Sequence, residues 1–353
     1  MHIFEKKSLQ LDKEKELKNI TFVKAILMLI VVVGHASAFW SGSWFPVVSP
    51  AEEAPILNIL FEWVGSFHIY GFTLASGYLF SYIINEKRGY NHFGDLLKNK
   101  FKRLIVPYYF VAIIYVIPIS CYFFELSRND VIQSYLLGTA PSQLWFLWML
   151  FDVFIIAWLL NGFIKNNDKL GLCLVLAIYA LGVGGNMITS NYFQIWTACR
   201  YLLFFWIGYK IRQHGSSNIL FAIPPIGWIV LDVAIFIVMK NIPNEGFFST
   251  ILLISGDLIL YSIGAIMSFV VLQRSANLCD WSNNKLFTIL KDRSMPVYLF
   301  HQQIIYFSII SLNGVVSAYV HAFLNFVIAI IVALIISSVL ISNKYSRFLV
   351  GEK

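Results

Sequence analysis

Asn19-Ile-Thr-Phe-Val-Lys24-Ala-Ile-Leu-Met-Leu-Ile-Val-Val-Val-Gly-His35-Ala36 places a lysine and a histidine eleven residues apart in an otherwise apolar run. The run has the length and hydropathy of a membrane-spanning helix. Eleven residues make about three helical turns, so both side chains lie on one face, roughly 16 Å apart along the axis. An ionisable group inside a bilayer is costly enough to mark a site, and an imidazole exchanges a proton near neutral pH. His35 is flanked by Val31, Val32, Val33, Gly34 and Ala36, surroundings that suit a neutral ring able to accept a proton. A hydrogen bond to another helix is the structural alternative for such a histidine. A lysine at the edge of a span ordinarily snorkels to the interface; the face Lys24 shares with His35 instead favours a role in holding an anionic ligand.

Working outward, the rest of the chain repeats the apolar pattern. Its 353 residues are 58% hydrophobic and 13% charged, with 31 Phe, 18 Tyr and 10 Trp, which excludes an ordinary soluble domain. About ten apolar spans are expected, near 22–40, 57–83, 104–123, 143–162, 170–187, 193–210, 219–239, 250–272, 295–312 and 319–342. The expected fold is therefore an all-α polytopic membrane protein. The net charge of +7 follows membrane orientation rather than nucleic-acid binding. With both termini cytoplasmic, 23 of the 26 Lys and Arg fall on the inner side, leaving Arg128, Arg200 and Lys240 outside. A basic segment 1–21, a transmembrane domain 22–342 and a tail 343–353 describe the organisation. Ala36-Ser37-Ala38 imitates a signal-peptidase site, but Asp12, Glu14 and Glu16 fit a cleaved leader poorly. Cys121, Cys173, Cys199 and Cys279 are too scattered for a metal site or disulfide framework, and no metal is expected.

Further polar residues lie within the spans. His68, Ser76 and Gly77 fall in the second, where small residues also serve close helix packing. Lys100 and Arg103, at i and i+3, point the same way from the inner start of the third; the basic loop they close also suits anionic lipid headgroups. Trp145, Trp148 and Asp152 form an aromatic stripe ending in an intramembrane carboxylate. His301 and Gln302 lie early in the ninth span. Glu62, Arg200, Asp232 and Asp257 read as ion-pairing partners between helices. No Gly-x-Ser-x-Gly, Walker loop or zinc-ligand spacing is present.

Several segments together resemble the acyltransferase-3 family of integral-membrane O-acyltransferases. Lys24 and His35 match its first-span Arg/Lys-x10-His, and Phe67-His68 through Ser76-Gly77 resembles its Phe-His-Met-Pro-x-Phe-x-x-x-Ser-Gly. Lys100-x-x-Arg103 resembles its basic pair, Leu144-Trp145-Phe146-Leu147 its Leu-Trp-Phe-Leu, and Tyr298-Leu-Phe-His301 its late Tyr-Leu-x-His. Thr21 stands where Asp is frequent, Lys24 and Lys100 replace the commoner Arg, and Tyr70 takes the usual Pro position. The resemblance implies O-acetyl transfer from cytoplasmic acetyl-CoA to a hydroxyl of a surface glycan or lipid-linked glycan, in a bacterial plasma membrane and alongside glycan-assembly machinery. His35 and His68 are then the expected catalytic residues, Lys24, Lys100 and Arg103 the donor-binding ones, and Ser76, Trp145, Asp152 and His301 the substrate-binding ones. A proton-coupled transporter using His35 and the intramembrane acids is the competing class.

Overall fold

A computed structural model describes residues 2–87, 89–215, 219–243, 245–278 and 281–352; Arg88, Cys279 and Lys353 lie outside this set. Among the described residues the regular structure is helical, with no strand. The elements that position the site are α1 (His2–Ser37), α2 (Pro55–Gly65), α3 (His68–Asn85), α4 (Phe93–Phe124), α5 (Ser142–Leu159), α6 (Asp168–Ile188) and α7 (Ile195–His214). They continue as α8 (Pro225–Lys240), α9 (Phe247–Leu278), α10 (Lys285–Asp292), α11 (Ser294–Leu312), α12 (Ala318–Ile341) and α13 (Lys344–Leu349).

Among the described residues six segments are long and apolar enough to cross a membrane: Leu17–Ser41, Phe93–Phe124, Ser142–Leu159, Asp168–Ile188, Phe248–Leu278 and Ala318–Ile341. The other four expected spans are helical, but none is a plain apolar rod. The stretch 57–83 divides into α2 and α3, and 193–210 falls in α7 with its three cations Arg200, Lys210 and Arg212. The stretch 219–239 contracts to the 16 residues of α8, and 295–312 is α11, which carries His301-Gln302-Gln303. Exposed Ile113, Ile114, Leu181, Ile331 and Ile335 give α4, α6 and α12 the aliphatic outer faces that lipid requires.

Local chemistry accounts for the irregularities. At Phe67 the backbone leaves the helical range (φ −134°), and the His68 Nδ1–H caps the Val64 carbonyl at the end of α2, 2.5 Å away. In α4, π-turns at Phe101–Ile105 and Ala112–Val116 come directly before Pro107 and Pro118. A proline has no N–H and its ring crowds the carbonyl four residues earlier, so the backbone widens to i→i+5 bonding there.

Helix α1 runs through the middle, packed by α2, α3, α9, α11 and α12. The tightest contact is between α3 and α7. A Cβ built on Gly77 would lie 1.9 Å from the Phe205 carbonyl oxygen, and one on Gly208 would lie 1.9 Å from that of Leu74. The two backbones touch reciprocally, as small residues permit in lipid, where there is little hydrophobic drive between helices. Ser76-Gly77 thus has a packing half, Gly77, and a half that faces the site. Of the residues expected to pair between helices, Glu62 meets Lys240 of α8, and Asp232 accepts the Trp63 indole N–H at 2.9 Å. Cys121, Cys173 and Cys199 are free thiols.

Gly77→Ala or Gly208→Ala is expected to destabilise by about 1–3 kcal/mol, because the obstacle to the methyl group is backbone and cannot rotate away. Thermal unfolding of the purified protein measures it, with Gly184→Ala as control, since a Cβ there meets nothing within 4 Å. Equal melting temperatures for all three would refute the packing argument.

Candidate active site

A cavity of about 570 Å³ opens where α1, α4, α10 and the segment after α12 come together, within the size range of small-molecule sites. Its mouth carries Lys24 of α1, Lys100 and Arg103 of α4, Lys291 of α10 and Arg347 of α13. The Lys24 ammonium lies 4.7 Å from the centroid of the Phe72 ring, and that of Lys100 lies 3.4 Å from the Phe154 ring. These ring faces supply part of the stabilisation an anion would otherwise give. Among the described residues none of Lys24, Lys100 and Arg103 makes an ion pair, whereas Lys291 meets its neighbour Asp292 at 3.2 Å. Glu352 also reaches the mouth; burial raises its carboxyl above the usual range, although Arg103 pulls it back. The five cations of the mouth outnumber its two carboxylates, Asp292 and Glu352, so the lining is cationic on balance.

Deeper in, the wall turns apolar, with Met28 and Val31 of α1, Ile69 and Phe72 of α3, Phe146 and Leu150 of α5 and Tyr298 of α11. Ser76 is on this wall, its hydroxyl donating to the Phe72 carbonyl at 2.9 Å. Val31 is one helical turn before His35, and Tyr298 is three residues before His301.

Beyond that end stand the histidines. His35 Nδ1 and His301 Nε2 are 2.7 Å apart, with ring centroids separated by 4.9 Å. His301 Nδ1 faces the Tyr298 carbonyl at 2.8 Å and that of Val297 at 3.2 Å. A carbonyl only accepts, so Nδ1 of His301 carries the proton and its Nε2 is the lone-pair nitrogen. In the neutral pair the proton between the rings then belongs to His35 Nδ1. That leaves His35 Nε2 with a free lone pair, the arrangement of an oriented base. His68 spends its Nδ1–H on Val64 and keeps Nε2 unprotonated in the same way. It lies near both His35 and His301. Trp44 closes one side, its ring centroid 5.4 Å from that of His35.

The structure therefore gathers Lys24, Lys100, Arg103 and Ser76 on one cavity and His35, His68 and His301 beyond its inner end. Trp145 and Asp152 do not line it. Trp145 turns instead toward Tyr201 of α7, with ring centroids 5.7 Å apart, while its neighbours Phe146 and Leu147 face the cavity. Lys291, Arg347 and Glu352 escaped the sequence reading. Only their sign was visible there, as inner-side charge, because nothing local to α10 or α13 tells that both fold back over the mouth. A second omission is the buried pair Gln143 and Gln303, whose amides bond reciprocally at 2.7 and 3.1 Å and fasten α11 to the start of α5. Among the described residues no group of three or more His, Cys, Asp or Glu is placed to hold a metal ion.

The model of the acyltransferase-3 family, described as an acyltransferase domain, matches residues 17–342. Neither the curated proteins nor the solved structures give a match.

The tautomers are directly measurable. In ¹⁵N-histidine spectra near neutral pH, Nδ1 of His35 is expected as the protonated nitrogen and Nε2 as the bare one, assigned by loss of signal in His35→Gln. The reverse pattern would remove the oriented-base geometry.

Proposed function

Because the chain belongs to the acyltransferase-3 family, we propose that this membrane acyltransferase moves an acetyl group from cytoplasmic acetyl-CoA to a hydroxyl of a cell-surface polysaccharide or its lipid-linked precursor. The observation that carries this reading is the pairing of a cationic mouth, in which Lys24, Lys100 and Arg103 make no ion pair among the described residues, with a histidine pair beyond the other end of one cavity. Polyphosphate on a long, flexible thioester arm is the kind of donor that fits such a shape. Its phosphates would meet Lys24, Lys100 and Arg103, with Lys291 and Arg347 adding charge at the rim. Each cation counts for more in this water-poor setting than at an exposed surface. The uncharged arm would follow the apolar wall past Ile69, Phe146 and Tyr298, which brings the thioester toward His35.

His35 Nε2 would then take the proton from the acceptor hydroxyl as its oxygen attacks the acyl carbon. The new C–O bond forms, the C–S bond breaks, and the thiolate of the coenzyme leaves and is protonated. His301 would act as a positioning residue, because its Nε2 holds the His35 Nδ1–H and so fixes which nitrogen is bare. Positive charge concentrated at the mouth end of the bundle supports a donor arriving from the cytoplasmic side, by the positive-inside rule.

His35→Ala is expected to lower acetyl transfer by about 10²–10⁴-fold while acetyl-CoA still binds. Purified protein in nanodiscs, assayed for coenzyme release in the presence of acceptor glycan, provides the test, and wild-type turnover in the alanine variant would end the assignment.

The donor cations have a separate signature. Lys24→Gln and Arg347→Gln should raise the apparent KM for acetyl-CoA several-fold with a smaller change in kcat, and Lys24→Arg should stay near wild type. Donor titrations that superimpose for Lys24→Gln and wild type would return Lys24 to interfacial snorkelling.

A further inference from the structure

A second pocket, of about 160 Å³, lies on the other side of α3. Its lining comes from α3, α6, α7 and α9 and includes Tyr70, Tyr179, Arg200, Tyr201, Asp257 and Tyr261. Helices α1 and α11, which carry the His35–His301 pair, contribute no residue to it. Tyr70 is held between Tyr201 and Tyr261, with ring centroids 4.8 and 4.4 Å apart and ring planes within 4° and 9° of parallel. This three-ring stack fixes the pocket's aromatic wall and groups its phenol hydroxyls. Tyrosine offers a rigid apolar face together with a polar tip.

The two charged residues decide what such a pocket accepts. Arg200 only donates hydrogen bonds and Asp257, when ionised, only accepts them. Among the described residues Arg200 makes no hydrogen bond or ion pair, so its donors are available. Opposite charges in one small pocket disfavour a polyanion such as the coenzyme and favour a neutral ligand carrying both donors and acceptors. The hydroxyl edge of a sugar ring meets that requirement, and its C–H face suits the negative face of an aromatic ring. The volume, about five times the share of one liquid water, suits a single ring rather than a chain of them.

The pocket's surroundings add a second requirement. Its aliphatic lining residues, Val183 and Ile254, belong to α6 and α9, helices that expose Leu176, Leu181, Ile251 and Ile259. A hydrocarbon tail can lie along those faces while the attached ring enters between them. We propose that this pocket is a recognition subsite for one sugar ring of a lipid-linked acceptor. With α3 between it and His35, the ring held here is a different one from the ring that is acylated. The proposal rests on the glycan-acylation reading above, and it predicts binding that needs neither acyl donor nor chemistry.

Equilibrium binding of radiolabelled hexyl glycosides of glucose, galactose and N-acetylglucosamine to the full-length protein in phosphatidylcholine nanodiscs tests it. At least one glycoside should bind wild type, and Arg200→Gln and Asp257→Asn should each weaken that binding about tenfold with acetyl-CoA binding unchanged. Tyr179→Phe removes one hydroxyl and keeps the ring, so it serves should the charge variants fold poorly, and it too should weaken binding several-fold. Absence of binding by all three glycosides overturns the proposal, as does equal binding of hexanol or equal affinity in every variant. Displacement of the glycoside by phosphatidylethanolamine from the same pocket, with no preference among sugars, would make it a lipid-headgroup site and overturn it as well. If glycosides bind as expected and no acetyl transfer occurs, the catalytic reading fails and the subsite stands. If transfer to glycan proceeds and the Arg200 and Asp257 variants match wild type in both assays, the subsite alone fails.

Discussion

Lys24, Lys100 and Arg103 face one cavity and, among the described residues, none of them is in ion-pair contact with a carboxylate, so their mutual repulsion is a cost the rest of the fold has to hold in place. Two of the three lean on aromatic faces, Lys24 on Phe72 and Lys100 on Phe154, contacts worth about 0.5–2 kcal/mol each. The widened π-turn at Phe101–Ile105, forced by Pro107, lies in the same stretch of α4 as Arg103. At that point Gly351 approaches so closely that a Cβ there would come within 2.9 Å of the Arg103 carbonyl. A mouth built this way is poised for an anion, because its five Lys and Arg face only two carboxylates, Asp292 and Glu352.

The helix that passes this mouth ends at the histidine pair. Along α1 the surroundings change from cationic at Lys24, through apolar at Met28 and Val31, to paired imidazoles at His35. Each neighbour has a separate job in that gradient. α3 supplies Phe72 and Ser76 to the cavity and Gly77 to the α7 contact. α11 supplies Tyr298 to the wall and His301 to the base, and the Gln143–Gln303 amide pair holds α11 against α5. Polar residues in a bilayer-sized bundle are expensive unless satisfied, so their concentration along one line through the molecule marks where function resides.

Tyr70 illustrates how one position can matter away from the reacting centre. It replaces the proline that the resemblance leads one to expect, and its ring completes a tyrosine stack between α7 and α9 rather than touching the cavity. Trp145 faces the same way, onto Tyr201. These aromatic residues therefore belong to the far side of α3, away from the cationic cavity.

The sequence by itself determined the membrane character, six of the spans, and the Lys24–His35 line, because hydropathy and helical period act within a single helix. It also ordered Lys100, Arg103 and Ser76 toward one site through motif spacing. Only the tertiary structure decided the rest. The break between α2 and α3 is stabilised by a side chain, His68, closing on the carbonyl of Val64. The partnership of His35 with His301 spans 266 residues. Lys291 and Arg347 read as plain inner-side charge until α10 and α13 fold across the mouth, and Trp145, next in sequence to the cavity-facing Phe146, packs on Tyr201 of α7 instead. Local periodicity gives the face of a helix, but which neighbour that face meets depends on contacts between segments hundreds of residues apart, and those are made only when the bundle closes.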